Sequence, residues 1–193
     1  MAECGGSIWN FRKIEEVVKQ RRWYTKRKAI SGEEKQKSGM DKEEAELKTK
    51  QIRKVAVSAC LLGENCKYNG GNNKNETVLK FIKDKDVIPV CPEVAGGLPT
   101  PRVPVELVDG IAINREGVNV DKEFHLGVER MINKLSGEDI DLVILQPRSP
   151  SCGAKQIYDG TFTGTLKPGQ GMFAKVLVEK GYKVVEPDEL DNY

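Results

Sequence analysis

Histidine is almost missing from this sequence: His125 is the single one in 193 residues. A metal centre built from clustered imidazoles is excluded by that count, and His125 lies on a predicted helix, where a surface role is expected. Long apolar runs are missing too. No stretch approaches membrane-spanning length and the N-terminus has no secretory apolar core. The expectation is therefore a cytoplasmic protein with no membrane partner, whose thiols stay reduced. Net charge is close to zero, with 31 Lys and Arg against 29 Asp and Glu, so a polyanion such as nucleic acid is not an expected partner. The five cysteines are an odd number, which excludes a complete disulfide framework in a monomer. None of them forms a C-x-x-C pair, which rules out the knuckles of structural zinc modules and a thioredoxin-type motif.

What is there is a set of single cysteines, each at the end of a β-like run. Val55-Ala56-Val57-Ser58-Ala59 ends at Cys60. Asp86-Val87-Ile88-Pro89-Val90 feeds Cys91 and a stiff loop through Pro104, in which four prolines fix φ and Gly96-Gly97 permit unusual backbone. Ile140 to Leu145 is followed by Gln146-Pro147-Arg148-Ser149-Pro150-Ser151-Cys152-Gly153. In open parallel sheets, loops from neighbouring strands converge beyond the carboxyl ends, and ligands bind there. Three thiols delivered to one such edge suggest a metal or cluster site.

Along the chain, residues 1–52 differ from the rest. They carry 13 basic and 9 acidic residues, a net +4, against −2 for 53–193. Phe11, Ile14, Val17 and Val18 have helical spacing, so a short amphipathic helix is expected near 10–22. The basic, aromatic stretch Arg21–Lys28 reads as a solvated tail, and residues 31–50 as a charged linker. Cys4 receives no role. The domain expectation is an extension at 1–52 and an α/β domain at 53–193.

From residue 53 the pattern alternates. It predicts a strand at 54–59, a helix at 75–83 with Val78, Phe81 and Ile82 inward, a strand at 86–90 and a hairpin over 105–114. Asp109-Gly110 suits that hairpin's primed turn. A short strand at 117–120, a helix at 121–136 with Asp121 as N-cap, a strand at 140–145 and a turn or hairpin at 158–164 follow. A last helix opens after Gly169-Gln170-Gly171, with Gly181 at its C′ position, and a strand at 182–185 ends the pattern. Strands alternating with helices predict a Rossmann-like, three-layer domain with a mostly parallel sheet.

Three widely spaced thiolates suit a soft metal centre. They leave one iron of a [4Fe–4S] cubane without a protein ligand, and zinc on three cysteines is the alternative. Cys66, six residues after Cys60, reads as a fourth ligand, an accessory thiol or an inert residue. Glu93 is a candidate acid or base, or a carboxylate that pairs with Arg102 to fix the loop. Ser149 and Ser151 are candidates for substrate contact, or for turn chemistry alone.

The segments Ser58–Gly63, Cys66–Gly71, Cys91-Pro92-Glu93 through Arg102, Ser149–Gly153 and Tyr158–Phe162, taken in this order, resemble the DUF523 family, whose characterised members are thiouracil desulfurases. The resemblance runs from about Val55 to Glu189. It implies a Rossmann-like fold and a [4Fe–4S] cluster on Cys60, Cys91 and Cys152. It also implies a catalytic carboxylate at Glu93, a catalytic serine at Ser149, and non-redox replacement of a thiocarbonyl sulfur by water with release of sulfide. Gln146-Pro147-Arg148 departs from the family pattern, where Lys and small polar residues are expected. A planar pyrimidine would want an apolar or aromatic wall, for which Tyr68, Tyr158 and Phe162 are candidates. The competing readings are a non-catalytic metal-binding or redox-sensing protein, which needs only the thiols, and a nucleic-acid-associated factor addressed by the basic N-terminal stretch.

Overall fold

Val55, Ala56 and Val57 are buried on both faces of the strand they form, so they occupy the centre of a sheet rather than its edge. The computed structural model describes residues 51–193. The expected helix near 10–22, the basic stretch and Cys4 lie outside the described residues. In chain order the elements are β1 (Lys54–Ser58), a 3-10 turn (Ala59–Leu62), α1 (Glu76–Phe81), β2 (Asp86–Val90) and α2 (Pro92–Ala95). Then come β3 (Val105–Val108), β4 (Ile111–Asn114), α3 (Asp121–Leu135), β5 (Leu142–Ile144), β6 (Gln156–Tyr158), β7 (Leu166–Pro168), α4 (Met172–Glu179) and β8 (Val184–Val185). A second 3-10 segment, Pro187–Asn192, follows.

The main sheet has strand order β2-β1-β5-β8 and every pairing in it is parallel. Parallel strands buried on both faces read as continuous apolar runs, and β1 and β5 do so. Ala56, Val143, Leu145 and Val90 pack on one side with Phe173, Ala174, Leu177 and Leu135 from α3 and α4. Val55, Val57, Leu142, Ile144 and Val185 pack on the other with Val78 of α1 and Leu190 of the terminal segment. Each fully buried Val, Leu or Ile side chain contributes about 1.5–3 kcal/mol, so these two layers outweigh any single polar contact in the fold. Two antiparallel hairpins, β3–β4 and β6–β7, stand apart from this sheet, with a third core of Val105, Leu107, Ala112, Phe124 and Ile157 beneath them.

Several expectations meet the structure closely. Asp109 and Gly110 both take positive φ, 50° and 86°, as a primed turn requires. Asn75 caps α1 by accepting the Val78 N–H, and Gly181, at φ 86°, follows α4 in the left-handed region. Others shift. Val120, not Asp121, is the N-cap of α3; the Asp121 carboxylate instead accepts the Ala112 N–H at 3.0 Å, tying the helix start to β4. The segment 117–120 forms only a bridge, Asn119 to Ile113. The expected stiff loop after Cys91 begins with a helical turn, α2, because Pro92 at the first helical position has its fixed φ already suited to a helix.

That turn is held at backbone distance. A Cβ on Gly96 would stand 2.0 Å from the Glu123 carbonyl oxygen, and one on Gly127 would stand 2.0 Å from that of Pro92. The two glycines let α2 and α3 touch main chain to main chain, and the Arg130 guanidinium donates to the Ala95 carbonyl at 2.6 Å across the same contact. The loop after β5 is fixed as firmly. Met172, Phe173 and Ala174, the first residues of α4, donate their N–H groups to the carbonyls of Pro150 and Ser151 at 2.9–3.1 Å. The helix start thus satisfies its own orphan donors with the loop that carries Cys152.

Candidate active site

Ser58 pairs with Val90 in the β1–β2 register, so Cys60 and Cys91 leave neighbouring strands at the same edge. β5 pairs with β1 on its other side and delivers the loop with Cys152 to that edge as well. The convergence expected from the sequence is therefore present in the fold. Cys91 is the N-cap of α2 and Cys60 lies in the 3-10 turn after β1. Cys152 is buried, whereas Cys60, Cys66 and Cys91 are half-buried.

Cys66 belongs with this group: interaction with the neighbouring Cys60 thiol is the main reason its pKa is pushed up to about 11. The Cys91 thiol is raised first by its hydrogen bond with Cys66 and then by burial. Burial is the main cause for Cys152, whose thiol is also raised by the nearby Cys91 and Glu93, while hydrogen bonds from the Ser58 and Ser149 hydroxyls favour its thiolate. Thiols packed this way hold their protons because each thiolate would face another sulfur in a poorly solvated place. A cation or cluster that supplies positive charge removes that obstacle. The donor set therefore fits a thiophilic group. Among the described residues, no three His, Cys, Asp or Glu side chains form a group that could hold one metal ion.

Glu93, two residues after Cys91, has both carboxylate oxygens engaged. Arg102 donates to Oε2 from Nε and from its NH2 nitrogen, each at 2.8 Å, and the Ser151 hydroxyl donates to Oε1 at 3.0 Å. The Arg102–Glu93 pair expected from the sequence is present, and it is one part of a larger clamp. The same guanidinium donates to the Cys66 carbonyl at 3.1 Å from both terminal nitrogens, and to Pro99 O and Thr100 Oγ1 at 3.2 Å. The planar fork of Arg suits such multiple recognition, and a lysine ammonium does not reproduce it. Arg102 is thus the joint between the Cys66 loop and the Cys91 loop.

The Ser149 and Ser151 hydroxyls have different partners. The Ser149 hydroxyl accepts the N–H groups of Ser151 and Cys152, both at 3.1 Å, which is the turn chemistry foreseen for it. The same hydroxyl favours the thiolate of Cys152. Ser151, fully buried, is the serine in contact with Glu93. Two further residues receive no role from the sequence, although Ser58 opens the first segment of the family resemblance. Ser58 accepts the Gln146 N–H at 3.0 Å and reaches Cys152, and the Asn73 side-chain amide lies 4.0 Å from the Cys60 sulfur. A serine at a strand end and an asparagine in an Asn-rich loop have bland readings that only the fold overturns.

The aromatic candidates are dispersed. Tyr68 is exposed, but its carbonyl accepts the Arg102 N–H at 2.7 Å, beside the clamp. Tyr158 and Phe162 belong to the β6–β7 hairpin, where the buried Glu106 carboxylate accepts the N–H groups of Gly160 and Phe162 at 2.9 and 3.0 Å. Phe162 is held at φ 58°, a backbone that a bulky side chain rarely adopts. His125 is exposed on α3 and contacts Asp121 at 3.2 Å.

Comparison with known proteins finds similar sequences and a similar solved structure. The family model for 2-thiouracil desulfurase matches residues 55–189. The uncharacterised protein YbbK of Bacillus subtilis (strain 168) is 33% identical over 148 residues, covering 72% of this chain and 98% of that protein. The solved structure of TudS, a [4Fe–4S]-dependent thiouracil desulfidase, superposes with a TM-score of 0.68 at 34% identity, covering 72% of this chain and 94% of the other. The parallel sheet, the cysteine loops at its carboxyl edge and these matches together place the chain in the 2-thiouracil desulfurase family.

Proposed function

We propose that residues 53–193 are a desulfurase that replaces the thiocarbonyl sulfur of a thiolated pyrimidine with oxygen from water. The observation that carries this reading is the placement of Glu93. A carboxylate oriented by Arg102 and Ser151 stands two residues from one of three thiols gathered at the sheet edge. A protein that only stored a metal would need the thiols and not this network. Residues 1–52 form an extension outside the catalytic part.

Cys60, Cys91 and Cys152 would hold a [4Fe–4S] cluster, as the TudS likeness and the convergence of their three loops on one sheet edge support. When bound there, the cluster supplies a soft Lewis acid for the substrate's sulfur, at an iron that no cysteine occupies. The chain's own groups do the remaining work. Glu93 takes a proton from the attacking water, and Arg102 fixes the carboxylate so that this proton transfer meets no reorientation cost. The Ser151 hydroxyl, hydrogen-bonded to Glu93 Oε1, orients that oxygen. Ser58 and Ser149 favour the thiolate of Cys152. Water's oxygen ends on the carbon, its two protons leave with the sulfur as hydrogen sulfide, and no electrons are exchanged overall. Reduced cysteines and an exposed cluster suit a reducing compartment such as the cytoplasm.

The test is anaerobic reconstitution followed by incubation with 2-thiouracil. Stoichiometric uracil and sulfide are expected, together with about four iron and four labile sulfides per chain. A chain that carries the cluster but releases no sulfide from any thiolated pyrimidine would be a sensor or carrier instead. Zinc without labile sulfide would remove the desulfurase reading altogether.

A further inference from the structure

Asn73 grips Cys60 at two points, and the reaction proposed above leaves that contact without a task. Its main-chain N–H donates to the Cys60 carbonyl at 2.9 Å, and its side-chain Nδ2 donates to the Cys60 sulfur at 4.0 Å. We propose that Asn73 is a positioning residue for the cluster: its amide donates to the Cys60 thiolate, draws electron density from that sulfur and raises the reduction potential of the iron centre. This rests on the cluster assigned above to Cys60, Cys91 and Cys152.

The loop between the two residues holds the amide in place. The chain leaves Cys60 through Gly63, at φ 101°, and comes back 13 residues later, where the Asn75 N–H also reaches the Leu61 carbonyl at 3.0 Å. Just before Asn73, the Asn72 amide donates to Asn65 Oδ1 at 2.7 Å, and Asn72 Oδ1 accepts the Lys74 N–H at 3.1 Å. Just after it, Asn75 caps α1. Both flanks of Asn73 are therefore tied down. Asn73 is half-buried whereas Asn72 is exposed, so water competes less for the amide that faces the sulfur.

The state of the sulfur selects which end of the amide matters. A thiol can donate its proton or accept one, but a thiolate bound to iron only accepts. The Nδ2 end of Asn73 is thus the one that serves a loaded site. Hydrogen bonds to ligand sulfurs are among the levers that set iron–sulfur potentials, because they stabilise the more negative, reduced state. The proposed reaction exchanges no electrons. The potential therefore reads the hydrogen bond itself and not a step of turnover.

The full chain is reconstituted anaerobically and its cluster titrated with dithionite, the reduced form being followed by electron paramagnetic resonance. Asn73→Leu removes the donor without adding charge, and Asn73→Asp keeps the size but puts a negative charge in its place. The midpoint potential should fall in the leucine variant and fall further in the aspartate variant, with iron and labile sulfide per chain unchanged. Asn72→Ala loosens the same loop but keeps the Asn73 amide, and should retain the wild-type potential. The proposal is overturned if both loaded Asn73 variants keep that potential, or if Asn72→Ala shifts it as far as they do. Failure of both Asn73 variants to load also overturns it, since the residue would then serve assembly alone. A wild type that takes up no iron–sulfur cluster removes the proposed function as well, whereas a loaded wild type that releases no sulfide from 2-thiouracil removes only that function and leaves the potentials to decide on Asn73.

Discussion

Glu93 and Arg102 are the residues on which the proposed chemistry turns, and conservative substitutions separate their tasks. Glu93→Gln keeps size and most hydrogen bonds but cannot accept a proton. It should lower kcat by about 10²–10⁴-fold and leave iron and labile sulfide per chain unchanged. Arg102→Lys retains the charge but loses the fork that grips Glu93, Cys66 and Pro99 together. A drop of about 10²-fold is expected, again with the cluster bound; cluster loss in the lysine variant would mean that the clamp serves assembly rather than turnover. Ser151→Ala and Ser149→Ala form a second pair. The first should act on kcat through Glu93, and the second on cluster retention through the Cys152 loop, as iron release in the presence of a chelator would report. The cysteines and Glu93 were legible because each stands beside punctuation, a strand end or a Pro, that has few bland explanations. Ser151's contact with Glu93 was not, since two serines around one proline are equivalent until a fold chooses between them. Ser58 and Asn73 had no spacing signal at all.

At the level of elements, the site depends on α2 lying against α3 with no side chain between. Gly127→Ala would raise the helix propensity of α3 by about 1 kcal/mol, yet its Cβ meets the Pro92 carbonyl oxygen at 2.0 Å. Overpacking against rigid main chain costs about 1–3 kcal/mol or more, so the clash wins. A fall in Tm of about 3–12 °C is expected, with reduced activity because Glu93 moves with α2; an unchanged melting curve would show that the two helices separate freely. The strands and helices of the parallel sheet were legible from apolar runs and 3.6-residue spacing. The helical turn after Cys91 was not, because prolines and glycines dominate that stretch and both suggest a loop. Pro92 is compatible with a helix only at its first position, and the docking on α3, invisible in the sequence, decides the outcome. The N-cap of α3 shifted for a similar reason: Asp121 had a better partner in Ala112 than in its own helix.

For the whole molecule, the family match begins at residue 55 and the described fold begins at residue 51. A chain starting at residue 53 should therefore melt cooperatively, load its cluster and turn over within about twofold of the full chain, since of the described residues it loses only Gln51 and Ile52, the latter packed at the edge of the second core and only partly buried. Loss of activity in that truncation would instead assign residues 1–52 a part in catalysis or partner recruitment. Its entry point has a further use. The Asp141 carboxylate accepts the N–H groups of Arg53 and Lys54 at 2.9 and 3.1 Å, pinning the first strand at the amino edge of the sheet, while the thiols stand beyond its carboxyl end. Five residues of strand separate the two, a span of about 16 Å. An affinity tag, a bead or an electrode coupled ahead of residue 53 would be attached at the pole opposite the chemistry, which makes this end the natural handle for immobilising an enzyme whose working face must stay open to substrate and closed to air.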